Sequence, residues 1–311
     1  MSLVETALKK MQEAGRSGAD RPTDAHKQAT LRTDPRAPGV IGELVRASAS
    51  ASHAEAALED GRRGSTKWIR VDRQALRQEG LLAPEHQDRL LADEFRHIKR
   101  PLIAAAIGRG SARTPNGQII MMASALPGEG KTFTSINLAL SISLDRDVSV
   151  LLIDADVTKP HVTKTFGLED EPGLLDVLRD EALDAESTIL PTDVPGLSVL
   201  PAGKRAKDAA ELLASQRMAD VMAALLTRDP NRIVIVDSSP LLLTNESRVL
   251  AHLAGQIVLV VRAGTTLQRA VLDAIDLLSE NKSISLVLNQ ARGAAMPLYY
   301  GYPEAQATSS S

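Results

Sequence analysis

The sequence predicts an α/β fold, a mainly parallel sheet flanked by helices, and three observations lead there. Short apolar runs such as Ile119-Ile-Met-Met-Ala123 and Ile233-Val-Ile-Val236 alternate with segments of helical period. That is the pattern of strands covered on both faces by crossover helices. Aromatic residues make up 2% of the 311 residues and hydrophobic ones 43%, so the core must be aliphatic. The residues able to do chemistry sit just beyond the ends of the apolar runs, where open α/β sheets bind ligands.

Residues 1–85 differ in kind from the rest of the chain. Ser2 to Met11 has an apolar stripe of Leu3, Val4, Ala7, Leu8 and Met11, with Ser2 and Glu5 at capping-box spacing. Such a helix is either a frayed terminus or a docking element for a partner or membrane surface. From residue 14 to 65 the chain is rich in Gly, Pro, Asp, Arg, Ala and Ser, with few large apolar groups to offset its ordering entropy, so it reads as linker. A short extended piece, Lys67–Val71, carries the only Trp.

A single α/β domain is expected over 86–295. A helix is predicted from near Pro84 through about Arg100. Strands are predicted at 118–124, 148–154, 197–200, 232–237, 256–261 and 284–288, with helices at 131–144, 209–226 and 267–281. Residues 296–311 read as a flexible tail.

Composition narrows the function classes. A net charge of −3 gives no reason to expect a nucleic-acid partner, and the absence of cysteine excludes disulfides and thiolate metal sites. The apolar run Pro101–Ile107 is far short of the roughly 18 residues a membrane helix needs. Met1 to Thr6 lacks a basic segment followed by an apolar one, so no signal peptide is expected. The expected location is cytoplasmic, with any contact to the inner membrane made through a partner.

Ala125-Leu-Pro127-Gly128-Glu129-Gly130-Lys131-Thr132-Phe133 follows a predicted strand and opens a predicted helix, as a phosphate-binding loop must. Backbone N–H groups around Gly128 to Thr132 would wrap a β-phosphate at the positive helix end. Lys131 would reach the β- and γ-phosphates and Thr132 would bind Mg²⁺. Ala125 stands where the usual pattern has its first glycine. Asp154 and Asp156 close the second strand. They would point the same way if the strand ran that far, one acting as a base on a hydroxyl and the other helping to hold metal. Ile233-Val-Ile-Val-Asp237 has the form of a Walker B strand, with Asp237 on the metal. Asn289, after the last strand, is the candidate adenine contact.

All three tyrosines, Tyr299, Tyr300 and Tyr302, fall in the aperiodic stretch Met296–Pro303. They are either substrates of the phosphate-handling domain or rings that pack back on it or on a partner.

Pro127–Thr132, Leu152–Asp156, Val236–Pro240 and the tyrosine cluster together resemble the bacterial tyrosine kinases, P-loop autokinases of exopolysaccharide synthesis. The likeness is greatest to those associated with exosortase systems, whose start also looks like Ser2–Lys10. The resemblance covers about residues 85–303 and implies a P-loop NTPase of the partition and cell-division ATPase-like superfamily. It implies transfer of the γ-phosphate of ATP, with Mg²⁺, to Tyr299, Tyr300 and Tyr302 by a site containing Lys131, Asp154 and Asp156. It also implies a homo-oligomeric ring and a membrane chain-length or polysaccharide co-polymerase protein as activator. A protein tyrosine phosphatase would be the opposing enzyme. The family's Glu-x-x-Arg-x-x-Arg subunit-contact motif is matched by Asp93, Arg96 and Lys99, with changes at both ends. The basic residue the family places soon after its second aspartate is Thr158 here, with Lys159 next. From Asn289 to Tyr299 is ten residues, a reach of about 33–36 Å, which allows transfer in cis or in trans. The alternative is a switch ATPase of the partition or cell-division type. Those usually carry a second lysine near the start of the loop, where this chain has Ser124-Ala-Leu-Pro127.

Overall fold

The computed structural model describes residues 67–108, 114–278 and 282–291. Its strands are β1 (Ile119–Ser124), β2 (Ser149–Asp154), β3 (Leu190–Pro191), β4 (Leu197–Leu200), β5 (Arg232–Asp237), β6 (Gln256–Arg262) and β7 (Ser283–Asn289). They form one sheet in the order β3-β4-β2-β5-β1-β6-β7, parallel throughout except for the β3–β4 pair. The expected α/β class is therefore observed. Asp154 and Asp237 are register partners at the ends of β2 and β5, with β1 and its phosphate loop on the far side of β5.

The described helices are α1 (Arg73–Gln78), α2 (Asp88–Ile107), α3 (Lys131–Ile142), α4 (His161–Thr165) and α5 (Leu174–Arg179), then α6 (Ala209–Leu213), α7 (Gln216–Arg228), α8 (Asn245–Leu253) and α9 (Gln268–Asp276). Period-two alternation divides the central strands between two apolar clusters. Met121, Ile153, Val236 and Leu259 pack with α5, α7, α8 and α9. Ile120, Met122, Leu152, Ile235 and Val258 pack with α2 and α3. Burial on both faces is why these strands read as continuous apolar runs.

Several elements differ from the sequence expectation. The helix predicted to stop at Arg100 runs on to Ile107 with Pro101 inside it. Leu102 and Ala106 continue the buried stripe begun by Phe95, and that packing outweighs the missing proline N–H. The single helix expected over 209–226 is two, because Ser215 leaves helical geometry and its hydroxyl caps the N–H of Met218. The expected helix 267–281 is described only as α9, since 279–281 lie outside the described residues. The short helices α1, α4 and α5, and α8, had no strong periodic signal.

Packing onto the sheet begins before residue 86, where the kinase domain was expected to start. Ile69 bridges in parallel to Thr192 beside β3, and Ile69, Val71 and Leu76 are buried with the α2–α3 cluster. The candidate helix 2–11, the linker 14–65 and the tyrosine cluster lie outside the described residues. Among those described, no helix is long and apolar enough to cross a membrane.

Pro101 is exposed in the interior of α2, so Pro101→Ala restores one backbone hydrogen bond and relieves one ring clash. We expect a gain of about 1–3 kcal/mol in urea denaturation. A loss of stability would mean that both halves of α2 need the proline's bend to pack.

Candidate nucleotide-binding and phosphotransfer site

The phosphate loop is built by contacts that reach across the sheet. Gly130 has φ +97°, and a Cβ there would lie 1.9 Å from Nδ2 of Asn289, so both the backbone and the neighbour demand glycine. Asn289 Nδ2 donates to the Glu129 carbonyl at 2.9 Å. The Glu129 side chain, buried at 3% exposure, accepts from the Leu126 N–H at 2.8 Å and from the Thr266 hydroxyl. Glu129 is thus a brace inside the loop, with its carboxylate committed to protein donors. Its expected role against the nucleotide is left to its backbone. Phe133, in the first turn of α3, packs on Phe95 of α2 with ring centroids 6.5 Å apart, so its aromatic face belongs to the core.

Lys131 and Thr132 open α3 beneath this loop, and the Lys131 side chain is largely buried. The Thr132 hydroxyl donates to Asp237 Oδ2 at 2.8 Å and the Ser135 hydroxyl donates to Oδ1 at 2.8 Å. Ser135 lies one helical turn after Lys131 and so shares its face. Asp154 accepts the Thr163 N–H at 2.7 Å and the Thr163 hydroxyl at 2.8 Å. β2 stops at Asp154, so Asp156 reaches the site from the turn and not from the strand. There it accepts from Ser239 Oγ at 2.9 Å, Thr158 Oγ1 at 2.8 Å and the Lys159 N–H at 3.2 Å.

The sheet thus brings Lys131, Thr132, Asp154, Asp156 and Asp237 to one end, and it adds Ser135, Thr163, Ser239 and Thr266. Ser239 stands in the Val236–Pro240 motif and was findable there. Thr163, nine residues past Asp154, had no local signal. The helix row expected at a subunit contact divides. Asp93 and Arg96 pair on the exposed face, whereas Lys99 is buried and binds the Ser141 carbonyl and Asp145, both at 2.7 Å. Its ammonium closes the end of α3 within the chain.

Burial dominates the electrostatics. Desolvation, then the neighbouring Asp237 carboxylate, push Asp154 up to about 7, against the pull of the Thr163 donors. Asp237 is also raised by burial, opposed by Lys131 and by the Ser135 and Thr132 hydroxyls. Two desolvated carboxylates beside a threonine hydroxyl offer hard oxygen donors whose charge a cation would offset. Among the described residues no group of three or more His, Cys, Asp or Glu converges as a metal cage. The donor set of Thr132 and Asp237 would fit Mg²⁺, which takes one or two carboxylates and fills its remaining positions with water and phosphate oxygens.

A family model described as an AAA domain matches residues 117–286. The tyrosine-protein kinase YwqD of Bacillus subtilis is 31% identical over 216 residues, covering 69% of this chain and 86% of that protein. The tyrosine-protein kinase wzc of Salmonella typhimurium is 27% identical over 231 residues, covering 73% of this chain but 31% of that protein. Among solved structures, the kinase domain of the Escherichia coli tyrosine kinase ETK superimposes with TM-score 0.55 at 27% identity, over 68% of this chain and 80% of that one. The VpsO kinase domain gives 0.54 at 28% identity, over 66% and 98%. A phosphate loop closed over buried Asp154 and Asp237, in a sequence this similar to YwqD, makes the chain a member of the bacterial tyrosine-kinase family of P-loop proteins.

Proposed function

We propose that this chain is an ATP-dependent protein-tyrosine autokinase whose substrates are Tyr299, Tyr300 and Tyr302 of its own tail or of a second copy. The observation that carries the proposal is Asp154. Buried at the end of β2 beside Asp237 and held by both Thr163 donors, its carboxylate is placed to accept a phenol's proton. Amides from Gly128 to Phe133 and the Lys131 ammonium hold the β- and γ-phosphates, and Asn289 is the proposed adenine contact. The phenol oxygen attacks the γ-phosphorus, the bond to the β–γ bridging oxygen breaks, and ADP leaves with that electron pair. The phenolic proton passes to Asp154, with Asp156 the second candidate. Mg²⁺ on Thr132 and Asp237, with Asp154 or Asp156 adjoining, would neutralise charge on the phosphates.

Residues 1–85 would then serve as tether, apart from the stretch from Ile69 to Leu76 that packs on the domain, with 86–295 as kinase and 296–311 as substrate. A homo-oligomeric ring would present one tail to the next site through Asp93 and Arg96. A role in exopolysaccharide synthesis or export draws support from the succinoglycan biosynthesis transport protein ExoP of Rhizobium meliloti, which is 33% identical over 204 residues. The chain spans only a quarter of ExoP, so the expected activator is a membrane co-polymerase segment supplied by another protein or domain. Three phosphates would add roughly −5 to −6 to the tail, repelling it from the aspartates and loosening the ring. A tyrosine phosphatase would reset it.

Mass spectrometry after incubation with ATP and Mg²⁺ tests the reading. Phosphate is expected on the tail tyrosines of the native chain and absent from Lys131→Met. Hydrolysis of ATP without phosphotyrosine, even with an activator segment added, would point to a switch ATPase. Asp154→Asn is expected to lower autophosphorylation at least ~100-fold with nucleotide binding retained. An unchanged rate would move the base to Asp156.

The raised carboxyl also sets a pH dependence in the ligand-free protein. Asp154 binds its proton more tightly folded than unfolded, so stability falls as pH rises from its ordinary 3.8 to about 7. The loss is on the order of 4 kcal/mol. Thermal melts of Asp154→Asn should come closest to the native chain below about pH 4 and exceed it by a growing margin up to about pH 7, the residual slope belonging to Asp237. Parallel pH profiles would show that Asp154 titrates normally.

A further inference from the structure

A cleft of about 490 Å³ opens beside the reaction centre, away from the phosphate loop. Lys159, His161 and Lys164, on and before α4, line one side. Lys204 and Arg205, in the loop after β4, line another, with Glu169 the one carboxylate. Lys159, Lys164, Lys204 and Arg205 are exposed, and none of the four forms an ion pair with another described residue. Arg77, Lys99, Arg228 and Arg232 are paired elsewhere in the domain; what sets the four cleft cations apart is that they line one concavity. The loop that carries Lys204 is fixed, because Asp176 Oδ2 accepts the N–H groups of both Lys204 and Gly173 at 3.0 Å. A concave, pinned cluster of like charges repels itself. A dianion with three acceptor oxygens would satisfy it.

Strand order says what such an anion is for. Along β4-β2-β5-β1, the cleft lies at β4 and β2, the aspartates at β2 and β5, and the phosphate loop after β1. The donor phosphate and the cleft therefore flank the aspartates from opposite sides, which puts the cleft where an acceptor enters. Thr163 joins the two, lining the cleft and donating twice to Asp154. We propose that this cleft binds a phosphotyrosine already formed in the tail and so places the next tyrosine at Asp154. Tyr300 and Tyr302 are two residues apart, about 7 Å when extended, a step suited to neighbouring sites. The first phosphate then speeds the second and third. This inference rests on the autokinase reading.

The test uses the full chain with Tyr299, Tyr300 and Tyr302 all changed to phenylalanine, so that its own tail cannot be modified. Three synthetic peptides of residues 295–305 are titrated without ATP and read by fluorescence anisotropy: unmodified, phosphorylated at Tyr302, and carrying glutamate in its place. The phosphopeptide is expected to bind at least tenfold more tightly than the other two. A combined K164A, K204A and R205A variant should lose that preference while keeping its nucleotide affinity and circular dichroism. The single change Lys204→Glu provides the same readout should the combined variant not fold. Equal affinity for the three peptides, or a preference that survives in the variants, would overturn the proposal. With the tyrosines restored, the same variants should accumulate singly phosphorylated chains by mass spectrometry, and an unchanged distribution would overturn the ordering role. A native chain that makes no phosphotyrosine would sink the autokinase reading and the ordering role with it, whereas the peptide titration still decides whether the cleft takes phosphotyrosine.

Discussion

Two carboxylates removed from water at the ends of adjacent strands are the constraint around which this site is arranged. Asp154 and Asp237 are both fully buried and face each other's charge. An isolated ionised carboxylate in such a place is prohibitively costly, so each must be paired, hydrogen-bonded or neutralised. The protein uses all three devices. Hydroxyls of Thr132 and Ser135 solvate Asp237, Thr163 solvates Asp154 twice, and Lys131 lies close enough to act on Asp237. What is left over is a site that would gain from a cation close to Asp237 and Asp154, which the metal ion of the proposed nucleotide complex would supply locally.

That arrangement depends on a loop that holds its shape without its ligand. The loop is braced by Thr266 after β6 and Asn289 at the end of β7, two strands on the side of β1 away from the aspartates. Glu129 receives one of these contacts through its carboxylate and the other through its carbonyl. A preorganised cradle avoids reordering backbone when phosphate arrives. It also explains an acidic side chain inside an anion-binding loop. The Glu129 charge is spent on the Leu126 N–H and the Thr266 hydroxyl, while the loop's other N–H groups are left for phosphate.

Much of this was legible in the sequence, for physical reasons that also mark the limits. β4 and β5 match the expected spans at both ends, β5 because a strand buried on both faces leaves an unbroken apolar run, Ile233 to Val236. Lys131, Thr132, Asp154 and Asp237 were legible because strand-end position and motif coincide. Illegible were the features set by tertiary contact. Nothing near Pro101 announces that α2 continues, since the deciding interactions are with α3 and the sheet. Glu129 is an acid in a phosphate loop, and only Thr266, 137 residues away, reveals its partner. Lys99 matches a motif spacing, yet Asp145 is what its ammonium meets. Thr163 belongs to a five-residue helix too short to leave a period.

The division of charge at the sheet's edge gives the proposed reaction a direction. Aspartates crowd the ends of β2 and β5, and unpaired lysines and Arg205 gather beyond β2 and β4. A neutral tyrosine can approach the aspartates without penalty, but the phosphotyrosine it becomes cannot remain there. Repulsion alone would eject the tail after one turnover, as a ring-loosening switch requires. Attraction by the adjoining cleft would convert that ejection into a short displacement, holding the tail until its next tyrosine has reacted. The two tendencies oppose each other with each added phosphate. One basic cleft can hold one phosphotyrosine, so the second and third phosphates meet aspartates without compensating cations. On the proposed reaction a partly modified tail would be retained and a fully modified one released, so that the number of phosphates, and not their presence, would be the quantity that a ring responds to.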